Sequence, residues 1–194
     1  MNVLIACEYS GIVRDEFCKK GVNAYSCDIL PTESEYTKEK NKHIQDDVLN
    51  VINFGWDMII AFPPCTDLSN AQAGPRMNEK IANGKAAASL EFIKKIYNAC
   101  NKVCIENPVS SYLNNNWIPY SQIIQPHYFG HNYNKKTCLW LKNIPILIST
   151  IYNEPKYNFI DSSRNKLKSV HRNVHKRNKF HLGIAQAMAQ QWLY

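Results

Sequence analysis

Apolar residues fall along the chain in short bursts separated by polar, Gly- and Pro-marked stretches. Asn2 to Cys7 is an apolar run that breaks at Glu8-Tyr9-Ser10-Gly11, and Ile12 to Lys20 then carries Val13, Phe17 and Cys18 before Gly21. These signals predict a strand, a tight turn and a helix that stops at Gly21. Val22 to Cys27 alternates into a second strand closed by Asp28, and Trp56 to Phe62 is a third that runs into Pro63-Pro64-Cys65. From Ala86 to Cys100, Leu90, Ile93, Ile96, Tyr97 and Cys100 recur at helical spacing, with Val103-Cys104-Ile105 as the strand that follows. Strands alternating with helices predict an α/β fold built on a parallel sheet. Pro31 to Lys42 is polar and charged and reads as an exposed loop. Further on, Ile123-Ile124 and Thr137 to Leu141 read as strands and Gly183 to Trp192 as a closing helix.

A chain of 194 residues with 45% hydrophobic and 20% charged residues fits one folded domain rather than a disordered or fibrous protein. The apolar stretch Met58 to Phe62 is far shorter than the roughly 20 residues that a membrane span needs. The first residues carry no basic segment ahead of their apolar run and do not read as a secretion signal. Seven cysteines without a scaffold-like spacing suit a reducing compartment, so a cytoplasmic protein without disulfides is expected. The net charge of +7 is uneven: Arg164, Lys166, Lys168, Arg172, Lys176, Arg177 and Lys179 share one segment without an acid. That run reads either as a phosphate-contacting patch or as a solvated basic loop.

In open parallel sheets ligands bind beyond the carboxyl ends of the strands. Cys7 to Gly11, Asp28, Pro63 to Thr66 and Glu106 to Pro108 all fall at predicted strand ends and would line one rim. Taken singly, each has a plainer reading as a turn or a cap; their shared placement is what points to a site. Cys65 follows two prolines, which stiffen the backbone and present the thiol on a rigid loop, as a nucleophile requires. Glu106 reads either as an acid–base group or as a surface cap. Cys18, Cys27, Cys100, Cys104 and Cys138 lie in apolar patterns and read as core. A zinc site from Cys100, Cys104, His171 and His175 is the weaker reading of those residues, and no metal centre is expected.

These residues resemble the DNA cytosine-5 methyltransferases, particularly the short forms of phages and prophages, over nearly the whole chain. Pro63-Pro64-Cys65 resembles the family's catalytic Pro-Pro-Cys, and Glu106-Asn107-Pro108 stands where the family has Glu-Asn-Val. Cys7-Glu8-Tyr9-Ser10-Gly11 is similar to the turn that receives the methionine part of S-adenosylmethionine, Asp28 to the acid that holds the ribose, and Asp47 to the acidic position near the adenine. Gln125, Phe129-Gly130 and Lys136-Thr137 resemble the strand pair after the catalytic Glu, without the arginines common there. Gly183 to Ala189, which contains Ala185, is similar to the C-terminal motif that packs beside the cofactor.

The resemblance implies a Rossmann-like S-adenosylmethionine-dependent methyltransferase fold, a mostly parallel sheet with helices on both faces. It implies Cys65 and Glu106 as catalytic residues, and S-adenosylmethionine as cofactor, bound by Cys7, Glu8, Tyr9, Ser10, Gly11, Asp28, Asp47, Pro63 and Ala185. DNA would be held by Pro64, Asn107, Lys136, Thr137, Arg172, Lys176 and Arg177, inside a bacterial or phage-infected cell. Residues 146–178 stand where the family inserts a much longer target recognition region, which implies a short site, relaxed specificity or a recognition partner protein. The same chemistry on RNA or a free cytosine nucleotide is an alternative. So is a non-catalytic regulator of the same fold that binds cofactor or nucleic acid.

Overall fold

The computed structural model describes residues 1–35, 42–69, 74–158 and 180–193. Among the described residues nine strands are formed: β1 (Asn2–Ala6), β2 (Asn23–Asp28), β3 (His43–Gln45), β4 (Met58–Ala61), β5 (Val103–Pro108), β6 (Gln122–Ile124), β7 (Tyr133–Asn134), β8 (Thr137–Lys142) and β9 (Tyr157–Asn158). The described helices are α1 (Ile12–Lys19), α2 (Pro75–Ala82), α3 (Lys85–Asn98), α4 (Ser111–Asn116) and α5 (Leu182–Gln191). Seven strands make one sheet in the order β3-β2-β1-β4-β5-β8-β6. Strands β3 to β5 of that order run parallel, while β8 is antiparallel to both β5 and β6. A separate parallel pair joins β7 to β9.

The period-2 alternation of β1 decides how the sheet is covered, because successive side chains point to opposite faces. Val3 and Ile5 join Val13 and Phe17 of α1 and Ile184, Ala185 and Met188 of α5 in one buried cluster. Leu4 and Ala6 face the other way, into a cluster with Leu90, Ile93 and Ile96 of α3 and Leu113 of α4. The expected α/β architecture, helices on both faces of a mostly parallel sheet, is the observed one. Burial of each such aliphatic side chain contributes about 1.5–3 kcal/mol.

Several local expectations are refined. The first strand ends at Ala6, because Cys7 has a left-handed backbone (φ 58) that a strand does not tolerate. Strand β5 runs on through Glu106 and Asn107 to Pro108, since β8 pairs with it along its length, Glu106 opposite Leu139. Glu106 is therefore a strand residue and not a surface cap. Helices α2 and α4, strand β3 and the β7–β9 pair lacked a recognised local signal. The zinc reading of Cys100 and Cys104 fails on geometry, since the two side chains lie in clusters on opposite faces of the sheet; His171 and His175 lie outside the described residues. Cys27, Cys100, Cys104 and Cys138 are buried as expected, whereas Cys18 is half-buried and donates to Ala24 O at 3.6 Å. Among the described residues no helix is long and apolar enough to cross a membrane.

Candidate active site

The chain leaves β1 toward β2 and β3, then returns to the other side of β1 as β4. That reversal makes a topological switch point at the carboxyl ends of β1 and β4, the place where open α/β sheets bind ligands. Cys7 lies on the β1 side and Phe62, whose amide donates to Ala6 O at 2.9 Å, on the β4 side.

On the β1 side, Gly11 caps α1 in a left-handed conformation (φ 73). A Cβ there would stand 2.5 Å from both Arg14 Nη2 and Ser34 Cβ, so glycine answers both the backbone conformation and the close packing. Glu8 turns inward: its carboxylate accepts from Val13 N at 2.7 Å, Arg14 N at 3.3 Å and Ser10 Oγ at 3.2 Å. It closes the first turn of α1, whose amides have no partner within the helix. Burial outweighs these hydrogen bonds and pushes the Glu8 carboxyl up to about 7. Ser10 is buried in the same turn, and Tyr9 O accepts from Glu33 N at 2.9 Å, tying the loop after β2 to this rim.

That loop is held from below by a buried polar network. Arg14 is fully buried, with Nε and Nη2 donating to Asp15 Oδ1 at 2.9 and 2.8 Å and Nη1 to Ser26 Oγ at 2.9 Å. Asp15 in turn accepts from Ser34 Oγ. Residues 31–35 are therefore anchored, whereas 36–41 lie outside the described residues. At the end of β2, Asp28 accepts from Leu30 N at 2.9 Å and is followed by Ile29, which is 73% exposed. A large apolar side chain left in water beside a carboxylate is a feature sequence reading missed; its signal was an Ile-Leu pair ahead of Pro31. Asp47 caps the 3-10 turn Val48–Asn50 through Leu49 N at 2.9 Å. The thiol of Cys7 is driven well above its ordinary value by burial first, then by the charges of Asp28, Cys27 and Asp47, which gathers Asp28 and Asp47 around the β1 end.

The second cluster sits at the ends of β4 and β5. Pro63 is buried, Pro64 is exposed and Cys65 is half-buried. Neither proline offers an amide proton, so the Pro63 carbonyl takes its hydrogen bond from across the sheet, from Asn107 Nδ2 at 3.2 Å. Asn107 is fully buried and braces the loop through Nδ2, while its Oδ1 is left without a hydrogen-bond partner. Beyond Cys65 the chain curls, with Leu68 N and Ser69 N both donating to Cys65 O at 3.1 and 3.0 Å, and Ser110 Oγ, the cap of α4, fixes Leu68 O at 2.5 Å. Lys80 of α2 reaches back to the same curl through Thr66 O and Asp67 Oδ1.

Glu106 accepts a hydrogen bond from Thr137 Oγ1, which also donates to Asn107 O at 3.1 Å. Burial raises the Glu106 carboxyl above the usual range, against the opposing pull of Lys135 and the Thr137 bond. Burial also raises the Cys65 thiol, the Glu106 charge adds to that, and Lys135, its own backbone amide and Lys80 pull it down. The Glu106 charge thus acts on the thiol, and a candidate nucleophile and a raised carboxyl stand at the ends of adjacent strands.

The remaining expected site residues divide. Thr137 is buried at the Glu106 carboxyl and Lys136 is exposed. Ala185 is fully buried in the core that joins α5 to α1 and has no accessible surface to offer a ligand. Gly183 serves packing: a Cβ would come 1.9 Å from Phe129 O, so α5 docks its first turn directly on that backbone. Arg172, Lys176 and Arg177, with the rest of the basic run, lie outside the described residues. Strand β9 pairs with β7, just ahead of Lys135, and the Phe180 ring lies 4.5 Å from that of Phe62.

No protein-family model and no curated protein sequence matches this chain. Among solved structures it is similar to a methyltransferase of Entamoeba histolytica, with a TM-score of 0.50 and 16% identity over 85% of this chain. The match spans 61% of that protein's length. At this identity the likeness is one of fold: the chain has the Rossmann-like fold of a methyltransferase.

Proposed function

We propose that this chain is an S-adenosylmethionine-dependent methyltransferase that modifies C5 of cytosine in DNA through a covalent Cys65 adduct. The observation that carries the reading is the placement of Cys65 and Glu106 at the ends of adjacent strands, next to the topological switch point between β1 and β4. The residues present fit the cofactor. Asp28 and Asp47 are acceptors suited to ribose hydroxyls and an adenine amino group, and Ile29 offers an apolar face beside them. When bound, S-adenosylmethionine supplies an electrophilic methyl group for C5.

The chain's own residues perform the rest. Cys65 Sγ, as the thiolate, forms a bond to C6 of the ring while Glu106, whose carboxyl burial raises, gives its proton to N3. The electron pair from the C5–C6 double bond is thereby released toward C5, which is otherwise too weak a nucleophile. After methylation Glu106 takes back the N3 proton, water takes the C5 proton, and the electron pair of that C–H bond expels the Cys65 thiolate and restores the ring. Asn107 and Ser110 hold the loop that bears Cys65, and Thr137 holds Glu106, so both groups keep their places without substrate. A base within a duplex has to be flipped out to reach them. The basic run supports nucleic acid over a free nucleotide, since seven Lys and Arg in one acid-free segment are suited to a row of phosphates.

The test is transfer of labelled methyl groups from S-adenosylmethionine to mixed-sequence DNA, with RNA and dCMP alongside. Label in DNA that disappears in Cys65→Ala is the expected result. Label in RNA or dCMP alone would replace the substrate, and cofactor binding without transfer to any of the three would replace catalysis with a binding role.

A further inference from the structure

Strand β3 is three residues long and lies at the edge of the sheet. Its two same-face side chains reach back to the segment that follows β2: His43 Nε2 lies 2.9 Å from Leu30 O, and Gln45 Nε2 donates to Ile29 O at 3.3 Å. Leu30 is thereby held through both of its backbone groups, since its amide donates to the Asp28 carboxylate at 2.9 Å.

The chemistry of the partners fixes where the His43 ring carries its proton. A carbonyl oxygen only accepts, so Nε2 is protonated, and in the neutral ring Nδ1 is then the acceptor. Ser26 Oγ, 2.8 Å from Nδ1, donates its proton there and accepts from Arg14 Nη1 at 2.9 Å. Arg14, Ser26, His43 and Leu30 O thus form one run of donors and acceptors from α1 through β2 and β3 to the loop. A proton on Nδ1 reverses the Ser26 bond. The fully buried hydroxyl then loses the acceptor for its own proton, and a second cation stands one hydroxyl away from Arg14.

Among the described residues the charged groups around the ring come from each neighbouring element. Arg14 and Asp15 of α1 pair with each other at 2.8 Å, and Asp28 ends β2. Lys42, just ahead of β3, donates to Asn23 Oδ1 at 2.5 Å and lies 4.4 Å from the centre of the Tyr25 ring. Asp46, just beyond β3, accepts from the Asp47 amide at 2.7 Å and from Asn50 Nδ2 at 2.9 Å. Glu33 stands in the loop itself, with its amide on Tyr9 O at 2.9 Å. Burial lowers the His43 ring below its ordinary value against the Leu30 hydrogen bond, and Arg14 lowers it further against Asp28.

We propose that His43, neutral and protonated on Nε2, is a positioning residue for the cofactor: through Leu30 it sets the Asp28 carboxylate and the exposed Ile29 side chain in place, and protonation of the ring releases them. The inference rests on the reading of Asp28 and Ile29 as cofactor residues, and part of its test needs no cofactor.

The first measurement is a long-range nitrogen–proton NMR spectrum of the free wild-type protein, followed by a titration from pH 8 to pH 5. The Nε2–H tautomer is expected near pH 8, with the amide signals of Leu30 and Glu33 shifting as His43 titrates. Calorimetry with S-adenosylmethionine over the same range compares the wild type with His43→Gln and His43→Phe, with circular dichroism as the fold control. Glutamine has one donor and one acceptor and does not titrate, so His43→Gln is expected to bind as the wild type does at pH 8. Other groups of the site that titrate, Glu8 among them, do so in both proteins, and the ratio of the two affinities is the readout. Toward pH 5 the wild type is expected to weaken about tenfold relative to His43→Gln, because binding favours the neutral ring. His43→Phe, a ring without a donor, is expected to bind about tenfold more weakly than the wild type at pH 8. An Nδ1–H tautomer, a constant ratio from pH 8 to pH 5, or full affinity in His43→Phe overturns the proposal and leaves the methyltransferase reading standing. The expected tautomer and amide shifts without S-adenosylmethionine binding in any of the three proteins overturn the cofactor reading and not the hold of His43 on Leu30.

Discussion

Replacing Glu8 with Gln separates the charge of a buried carboxyl from its capping role. In the wild type, burial raises this group from 4.5 to about 7 despite three hydrogen bonds that favour the ionised form. A folded-state value above the unfolded one means that the native protein binds the proton more tightly. The associated stability is present below the unfolded value, declines as pH rises through the window from 4.5 to about 7, and stays lost above it. At about 1.4 kcal/mol per pH unit the decline amounts to roughly 3 kcal/mol. Glutamine keeps an oxygen to accept from Val13 N and has nothing to titrate, so its own contribution is flat. Urea unfolding of both proteins from about pH 4 to pH 8 provides the measurement, with the difference between them as the readout. Histidines such as His131 and His181, lowered by burial, destabilise the native state as pH falls, but they do so in both proteins and cancel. Relative to wild type, Glu8→Gln is expected to gain roughly 3 kcal/mol across the window. Parallel curves would refute the claim that Glu8 is desolvated in the native state.

Gly183→Ala is expected to lower stability by about 2 kcal/mol or more, because a Cβ 1.9 Å from Phe129 O forces α5 off its seat; a thermal melt within error of wild type contradicts the close approach. Asn107→Ala removes the donor to Pro63 O and leaves a buried carbonyl unsatisfied, which costs about 1–3 kcal/mol in urea unfolding and reduces kcat more than it raises KM. Asp28→Asn is expected to weaken S-adenosylmethionine binding about tenfold in calorimetry while leaving Cys65 alkylation unchanged, since a charged acceptor is exchanged for a neutral one. Equal affinity would move the ribose elsewhere.

Much of the scaffold was legible locally. The apolar runs at Asn2, Asn23, Met58 and Val103 and the helical spacing from Lys85 to Asn98 carry their own periodicity, and burial of one face acts on neighbouring residues in the chain. Pro63-Pro64-Cys65 could likewise be read as a rigid loop, because proline limits its own backbone wherever it stands. The order of the strands, and with it the switch point between β1 and β4, depends on pairings between segments tens of residues apart.

The roles of individual side chains followed the same division. Glu8 stood in a motif expected to bind cofactor, but tertiary packing turned its carboxyl onto the amides of α1. Ala185 was placed beside the cofactor by its motif and is enclosed between two helices. The register of β8 against β5 set Thr137 on Glu106, 31 residues away along the chain. Sequence alone determined which residues had chemistry to offer and which segments had to be buried, since both are properties of residues and their near neighbours. Only the tertiary structure decided which of those groups share one low-dielectric space, because desolvation and Coulomb interaction depend on distance in space and not along the chain.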